Sequence, residues 1–270
     1  MICLTRTTYS KYLQFFCSSM MFVIGFQIMD LKAEAFVAGL NAIERTHYAT
    51  AYRSFKPMAE QGIAEAQNNL GFLYQNGLGV KRNYATAINW YKRAADKGLP
   101  EAEHNLGMLN YWGYGVAQDF SIARRWFSKA AKQNLASSHY MLGLMFYKGE
   151  GVQISLERAR EHFASAAISG DANGQYMLAH MILSGDTKSY FTPKERASAF
   201  DFSVLVDQEE NELIAALAIS LLASQGGQAS ANQLIEFLKF QLDDEQIIEA
   251  SSLADRCLES EYKDCLVIQS

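Results

Sequence analysis

The chain is poor in the residue types that mark disordered, fibrous and disulfide-dense proteins. Its 270 residues include only 3 prolines and 4 cysteines. So few prolines, together with 12% aromatic residues, exclude an intrinsically disordered chain. The glycine and cysteine counts exclude a collagen-like or disulfide-dense scaffold. Basic residues are outnumbered as well, and a net charge of −5 argues against a nucleic-acid partner, which requires a basic patch.

The first 35 residues have the pattern of an export signal. Arg6 and Lys11 precede an apolar stretch over residues 13–29, and Ala33-Glu34-Ala35 supplies small residues on the N-terminal side of a cleavage point. We therefore predict a signal peptide over residues 1–35, cleaved after Ala35, and a periplasmic or secreted mature protein. The alternative is an uncleaved membrane anchor, because the apolar stretch is nearly long enough to span a bilayer. In that case the signal segment is the only part of the chain that contacts a membrane.

Two cysteines, Cys257 and Cys265, remain after this cleavage. An even pair in an exported chain is a disulfide candidate. In one continuous helix their spacing would place the Cα atoms about 12 Å apart, whereas a disulfide needs about 7 Å or less. A Cys257–Cys265 disulfide therefore requires the last helix to end near residues 258–261. Two free thiols, or a metal pair without its other ligands, are the alternatives.

A period of 36 residues organises the chain from residue 63 onward. Rows that start at Ile63, Leu99, Leu135 and Asp171 align a leucine in all four rows and a following glycine in the first three. The aligned pairs are Leu70-Gly71, Leu106-Gly107, Leu142-Gly143 and Leu178-Ala179. Periods of this length are typical of solenoids.

Each row predicts two helices. In the first helix, Ala66, Leu70 and Leu73 fall on one face at helical spacing. The glycine after the leucine costs about 1 kcal/mol relative to alanine inside a helix, so its recurrence predicts a neighbouring helix packed too closely for a Cβ atom. A turn such as Gly77-x-Gly79 ends the first helix, and an aromatic pair and Ala-Ala follow in the second. One hairpin cannot bury its apolar face alone, but stacked hairpins can.

These residues resemble a known repeat. The pattern Leu-Gly-x-x-Tyr-x-x-Gly-x-Gly-Val, continued by Ala-x-x-Trp-Tyr-x-x-Ala-Ala-x-x-Gly, is similar to the Sel1-like repeat, a relative of the tetratricopeptide repeat. The resemblance covers residues 36–257 and is strongest in the three central rows. Its first half-unit and closing helix look like those of exported bacterial members. The resemblance implies an all-α fold, an α/α solenoid or superhelix of helix–turn–helix repeats, that mediates protein–protein contacts, usually without chemistry of its own.

The pattern divides the chain into seven segments. They are a signal peptide (1–35), an N-terminal half-repeat (36–62), repeats 1 to 3 (63–98, 99–134 and 135–170), a degenerate repeat 4 (171–210) and a helical C-terminal cap (211–270). Repeat 4 lacks the Gly-x-Gly-Val turn and has a longer loop at residues 186–191, after which Thr192-Pro193 restarts a helix. The cap predicts three helices, over residues 212–224, 229–241 and 244–258, the last with a capping box of Asp243 and Gln246.

Motifs that carry catalysis or hold a cofactor or metal are scarce. Gly77-x-Gly79 follows no predicted strand and lacks the Lys-Ser/Thr of a P-loop, and no His-Glu-x-x-His or Cys-x-x-Cys occurs. We therefore predict no enzyme activity, no cofactor and no metal site. The alternative is a penicillin-binding or β-lactamase-like hydrolase of the cell envelope, as described for cysteine-rich relatives of this repeat class. Ser260-x-x-Lys263 matches Ser-x-x-Lys, but the partner motifs Ser-Asp-Asn and Lys-Thr-Gly are missing.

One face of the first helices carries the predicted binding residues. It lies opposite the core side, is rich in Tyr, His and Met, and has almost no charge. In helical solenoids this side lines the concave surface, where ligands bind, and its composition is typical of protein interfaces. The alternative is that these side chains pack between adjacent first helices. The predicted contacts to a protein or peptide partner are Phe72, His104, Met108, Tyr111, Tyr140, Tyr147 and Tyr176.

Overall fold

The structure, a computed structural model, describes residues 34–184 and 209–262, and all secondary structure in these residues is helical. The predicted α/α solenoid of helix–turn–helix repeats is confirmed. The helices are α1 (residues 34–44), α2 (Tyr48–Glu60), α3 (Ala64–Asn76), α4 (Tyr84–Ala95), α5 (Pro100–Trp112), α6 (Phe120–Ala131), α7 (Ala136–Lys148), α8 (Leu156–Ile168), α9 (Ala172–Leu183), α10 (Glu209–Gln225), α11 (Ala231–Gln241) and α12 (Asp244–Glu259).

The chain forms two compact units, Met1–Leu99 and Pro100–Ser270. In the first unit, α2 packs on α3 and α3 packs on α4. Its core includes Phe55, Leu70 and Leu73, all almost fully buried. The predicted cleavage point after Ala35 lies in the first turn of α1, and the rest of the predicted signal peptide lies outside the described residues.

The Gly-x-Gly turns reverse the chain between the two helices of a repeat. Gly77 and Gly79 both have φ of +70°, a left-handed conformation that glycine adopts without steric cost. A Cβ on Gly79 would lie only 2.5 Å from the carbonyl carbon of Tyr48, at the start of α2. The turn therefore needs glycine both for its backbone angles and for its contact with the preceding helix.

At the glycines within the first helices a neighbouring helix packs too closely for a Cβ atom, as predicted, and the group in contact is an aromatic ring. A Cβ on Gly71 would lie 2.8 Å from the ring of Tyr91 on α4. The corresponding distances are 2.5 Å from Gly107 to Phe127 and 2.6 Å from Gly143 to the ring of Phe163. Since real Cβ atoms do not approach other atoms so closely, each of these glycines allows its two helices to pack at short range.

The second unit continues the repeats from α5 to α9 and ends in α10, α11 and α12. Here α9 packs on α10, and α10 packs in turn on α11 and α12. The three predicted C-terminal helices are confirmed, and so is the capping box, in which Asp243 and Gln246 exchange two hydrogen bonds of 2.9 Å. The loop predicted at residues 186–191 and the helix predicted to restart at Thr192-Pro193 lie outside the described residues.

Candidate functional site

The predicted binding residues lie on the first helices of the repeats, and Phe72, on α3, is the one in the first unit. Those in the second unit lie on the side that we call the first-helix face: His104, Met108 and Tyr111 on α5, Tyr140 and Tyr147 on α7, and Tyr176 on α9. Phe72, in the first unit, is 39% exposed. On the same helix the Tyr74 hydroxyl lies 3.2 Å from that of Tyr52. This hydrogen bond, together with burial, raises the pKa of Tyr74 to about 12, so the Tyr74 hydroxyl is neutral at neutral pH.

In the second unit the tyrosines of α5 and α7 come together. Met108, Tyr111 and Tyr140 pack in one cluster with Leu142 and Met145. Tyr140 keeps part of its surface exposed, and its ring centroid lies 6.0 Å from that of Phe163. Burial, and to a lesser extent Asp171, raises the pKa of Tyr140. Tyr147 and Tyr176 are also only half-buried, so part of their surface is accessible to solvent.

Tyr111 differs from the other residues of the face because it is only 4% exposed. Its ring makes edge contacts with Trp112 and Phe120, at centroid distances of 4.9 and 5.3 Å. Its hydroxyl donates a 2.5 Å hydrogen bond to Glu150, in the turn of the next repeat. Burial and this carboxylate raise the pKa of Tyr111. Tyr111 therefore packs between neighbouring repeats, as the alternative interpretation of the face predicts.

His104 also joins two repeats. Its Nδ1 lies 2.9 Å from the hydroxyl oxygen of Ser138, a fully buried residue on α7. Its ring centroid lies 5.3 Å from that of Phe127. Burial lowers the pKa of His104 to about 4, so the imidazole is neutral at neutral pH and acts as a packing and hydrogen-bonding group between α5 and α7.

The structure contains a histidine pair that the sequence analysis did not identify. His139 Nε2 donates to the Ala131 carbonyl at 3.0 Å, which leaves His139 Nδ1 as an acceptor. His162 Nδ1, 3.1 Å away, must then donate to it. Burial is the main cause that lowers both histidine pKa values, that of His162 to about 4. The ring of His162 stacks on Phe146 at 5.6 Å.

In three of the four first helices, α3, α7 and α9, a polar side chain near the start reaches back to the preceding helix. Gln67 donates to the Ala59 carbonyl at 3.0 Å, and Gln175 donates to the Ala167 carbonyl at 3.2 Å. His139 makes the equivalent bond. Each bond is a second hydrogen bond to a carbonyl at the C-terminal end of a helix, which otherwise accepts from a backbone N–H in the turn that follows. A signal was present in the sequence, because these positions align in the 36-residue rows and are all polar.

Ser260, one of the two residues of the enzyme alternative, lies directly after α12. The Ser260 hydroxyl donates to the Cys257 carbonyl at 3.1 Å, and Lys263 lies outside the described residues. Cys257 is 1% exposed and disulfide-bonded. Because the other cysteines lie outside the described residues, the Cys257–Cys265 pairing stays a prediction. Within the described residues, no three His, Cys, Asp or Glu side chains are grouped to hold a metal ion.

Across residues 34–184 and 209–262, none of the helices combines the length and the apolar character that a membrane span requires.

Comparison with known proteins identifies the repeat. The Sel1 repeat family matches residues 64–99, 100–135, 136–171 and 172–201. A Sel1 repeat protein from Oxalobacter formigenes is 24% identical, with a TM-score of 0.60 over 77% of this chain and 79% of that one. The protein c5321, a protective antigen present in uropathogenic Escherichia coli strains, displays an SLR fold. It is also 24% identical, with a TM-score of 0.61, and the match covers 87% of this chain but only 47% of that one.

No curated protein matches the chain. The four matched repeats cover half of its length and coincide, within one residue at each start, with the rows read from the sequence. The structure contains the features of the same motif: an aromatic ring packs against each of the three helix glycines, and the glycines of the Gly-x-Gly turns have left-handed backbone angles. The chain belongs to the Sel1 repeat family.

Proposed function

We propose that the protein is a non-catalytic scaffold that binds a protein or peptide partner through its first-helix face. Sel1 repeats generally mediate protein–protein interactions. The observation that carries the proposal for this chain is the half-buried row of Met108, Tyr140, Tyr147 and Tyr176 on α5, α7 and α9. Such residues offer large apolar surface together with hydroxyl groups, at low cost in side-chain entropy, as in the centres of protein interfaces.

The roles within the proposed face follow from burial. Tyr147 and Tyr176 supply accessible ring surface, whereas Tyr111 and His104 hold neighbouring repeats in place. In the first unit, Phe72 is a separate candidate contact with an exposed side chain on α3. Extended partners suit a surface of this kind, because each repeat presents an equivalent set of positions to successive residues of the partner.

Replacement of Tyr147 and Tyr176 by alanine is expected to abolish partner binding without unfolding the protein, because both side chains are only half-buried. Partners recovered from envelope extract by the wild-type chain should be lost, and Kd should rise at least about tenfold for each tyrosine. Ile154→Ala, which truncates a 65% exposed residue in a turn, is the matched control and should bind normally. Undiminished binding by the double variant, with its helical content unchanged, would contradict the proposal.

The proposal includes export, with a signal peptide over residues 1–35, to the periplasm or the cell exterior. The disulfide at Cys257 supports it, because disulfides persist mainly in oxidising compartments. N-terminal sequencing of the protein recovered from its native cells should find Phe36 as the first residue. A chain that retains residues 1–35 in the membrane fraction would favour the anchor instead. A chain that retains them in the cytosol would overturn the export proposal.

A further inference from the structure

The two last helices of the described chain carry apolar side chains that the fold does not use. On α11, Ala231, Ile235 and Leu238 are buried, and the helix packs on α10. Phe237 and Phe240, which are neighbours on another side of α11, are 51% and 91% exposed. A phenylalanine that is 91% exposed adds almost nothing to the core, although burying it would release about 2 kcal/mol.

The following helix also carries an exposed apolar side chain. On α12, Leu253 and Ala254 are buried, whereas Ile248, in its second turn, is 69% exposed. A shallow groove on α12 is lined by residues of that helix, among them Ile248, Asp255 and Arg256. Phe240 and Ile248 lie within about 20 Å of each other, because only a short connection and the first turns of α12 separate them. A partner helix of about 13 residues spans that distance.

The charges around these apolar residues are predominantly acidic. Residues 231–259 contain seven acidic side chains and only two basic ones, Lys239 and Arg256. The resulting net charge of −5 equals that of the whole chain. All seven carboxylates are exposed: Glu236, Asp243, Asp244, Glu245, Glu249, Asp255 and Glu259. An acidic rim favours a basic partner, and it disfavours both a second copy of the chain and an anionic lipid surface.

We propose that α11 and α12 form a second docking surface, separate from the first-helix face, for a basic amphipathic helix of a partner protein. Phe237, Phe240 and Ile248 receive the apolar side of that helix, and the carboxylates around them pair with its lysines and arginines. An aromatic centre surrounded by charge is the arrangement in which a few residues provide most of the binding energy. The protein then has one surface for an extended segment and another for a helix, as a scaffold requires.

The probe for this proposal is a synthetic leucine–lysine helix of about 14 residues, long enough to cover the surface, titrated against the full-length chain by fluorescence anisotropy. A scrambled peptide of the same composition measures purely electrostatic attraction. We expect the amphipathic peptide to bind at least about tenfold more tightly than the scrambled one, and more weakly as salt is added. Equal binding of the two peptides would overturn the proposal.

Variants locate the binding surface. Phe237→Ser with Phe240→Ser should weaken binding of the peptide at least about tenfold and leave stability unchanged, because both rings are exposed. Ile154→Ser, which changes a 65% exposed apolar residue between α7 and α8, is the matched control and should bind normally. Undiminished binding by the double variant would overturn the proposal. So would a wild-type dimer that the double variant dissociates, or wild-type binding to phosphatidylglycerol vesicles that depends on Phe240.

Discussion

Replacing Phe163 by alanine is expected to lower the free energy of unfolding by about 3–5 kcal/mol, because it empties a fully buried ring site. Gly143→Ala is expected to cost about 1–3 kcal/mol, because its Cβ would lie 2.6 Å from that ring and this clash outweighs the gain in helix propensity. The double variant should lose less than the sum of the two changes, by at least about 1 kcal/mol. Urea unfolding followed by circular dichroism measures all three values.

A second pair of substitutions controls for general destabilisation. Gly143→Ala combined with Phe55→Ala joins two changes in different units, since the Phe55 ring packs against Gly39 in the first unit. Their effects should add within about 0.5 kcal/mol. If the effects of Gly143→Ala and Phe163→Ala on the free energy of unfolding are also additive, the glycine is not required by contact with the ring. The packing explanation of the 36-residue motif would then be wrong.

Acidification from neutral pH to pH 4 is expected to destabilise the second unit through its buried histidines. The folded-state pKa of both His104 and His162 lies near 4, below the ordinary value of 6.5. The unfolded chain therefore binds more protons between these two values, so the stabilisation is complete above pH 6.5 and is lost as the pH falls towards 4. Each histidine contributes a loss of about 3 kcal/mol at pH 4.

Comparison of variants separates this effect from the titration of carboxylates in the same range. Urea unfolding of the wild type, His104→Gln and His162→Gln should show a shallower loss of stability with falling pH in each variant. His47→Gln removes an exposed histidine and is the matched control. A wild type and a His104→Gln variant with parallel pH profiles would show that the imidazole beside Ser138 is protonated as easily in the folded chain as in the unfolded one.

Much of the fold could be predicted because its determinants recur in the sequence. Gly71, Gly107 and Gly143 are costly in a helix, so their recurrence already required a close neighbour, and each meets an aromatic ring. The turn glycines and the capping box of Asp243 are local features, whose geometry depends on residues only a few positions away. Such short-range rules transfer directly from sequence to structure.

The candidate site could be predicted only in part, because burial depends on neighbours from other repeats. Helical spacing placed Tyr111 on the first-helix face, but the spacing cannot show that Glu150, in the next repeat, lies over its hydroxyl. The pair of His139 and His162 likewise joins α7 to α8 through side chains that no motif contains. The exposure of Phe240 could not be predicted either. The sequence of a helix with apolar residues on two sides does not show which side packs against the rest of the fold.

Site-specific photo-crosslinking tests the central claim, that a partner binds the first-helix face, most directly. A benzophenone side chain is placed in the full-length chain at Tyr147 or Tyr176 on that face, or at Trp126 on a second helix, and irradiated in native cells. The account predicts that one and the same protein is crosslinked from positions 147 and 176, and not from position 126. Crosslinks to a partner from position 126 alone would contradict it.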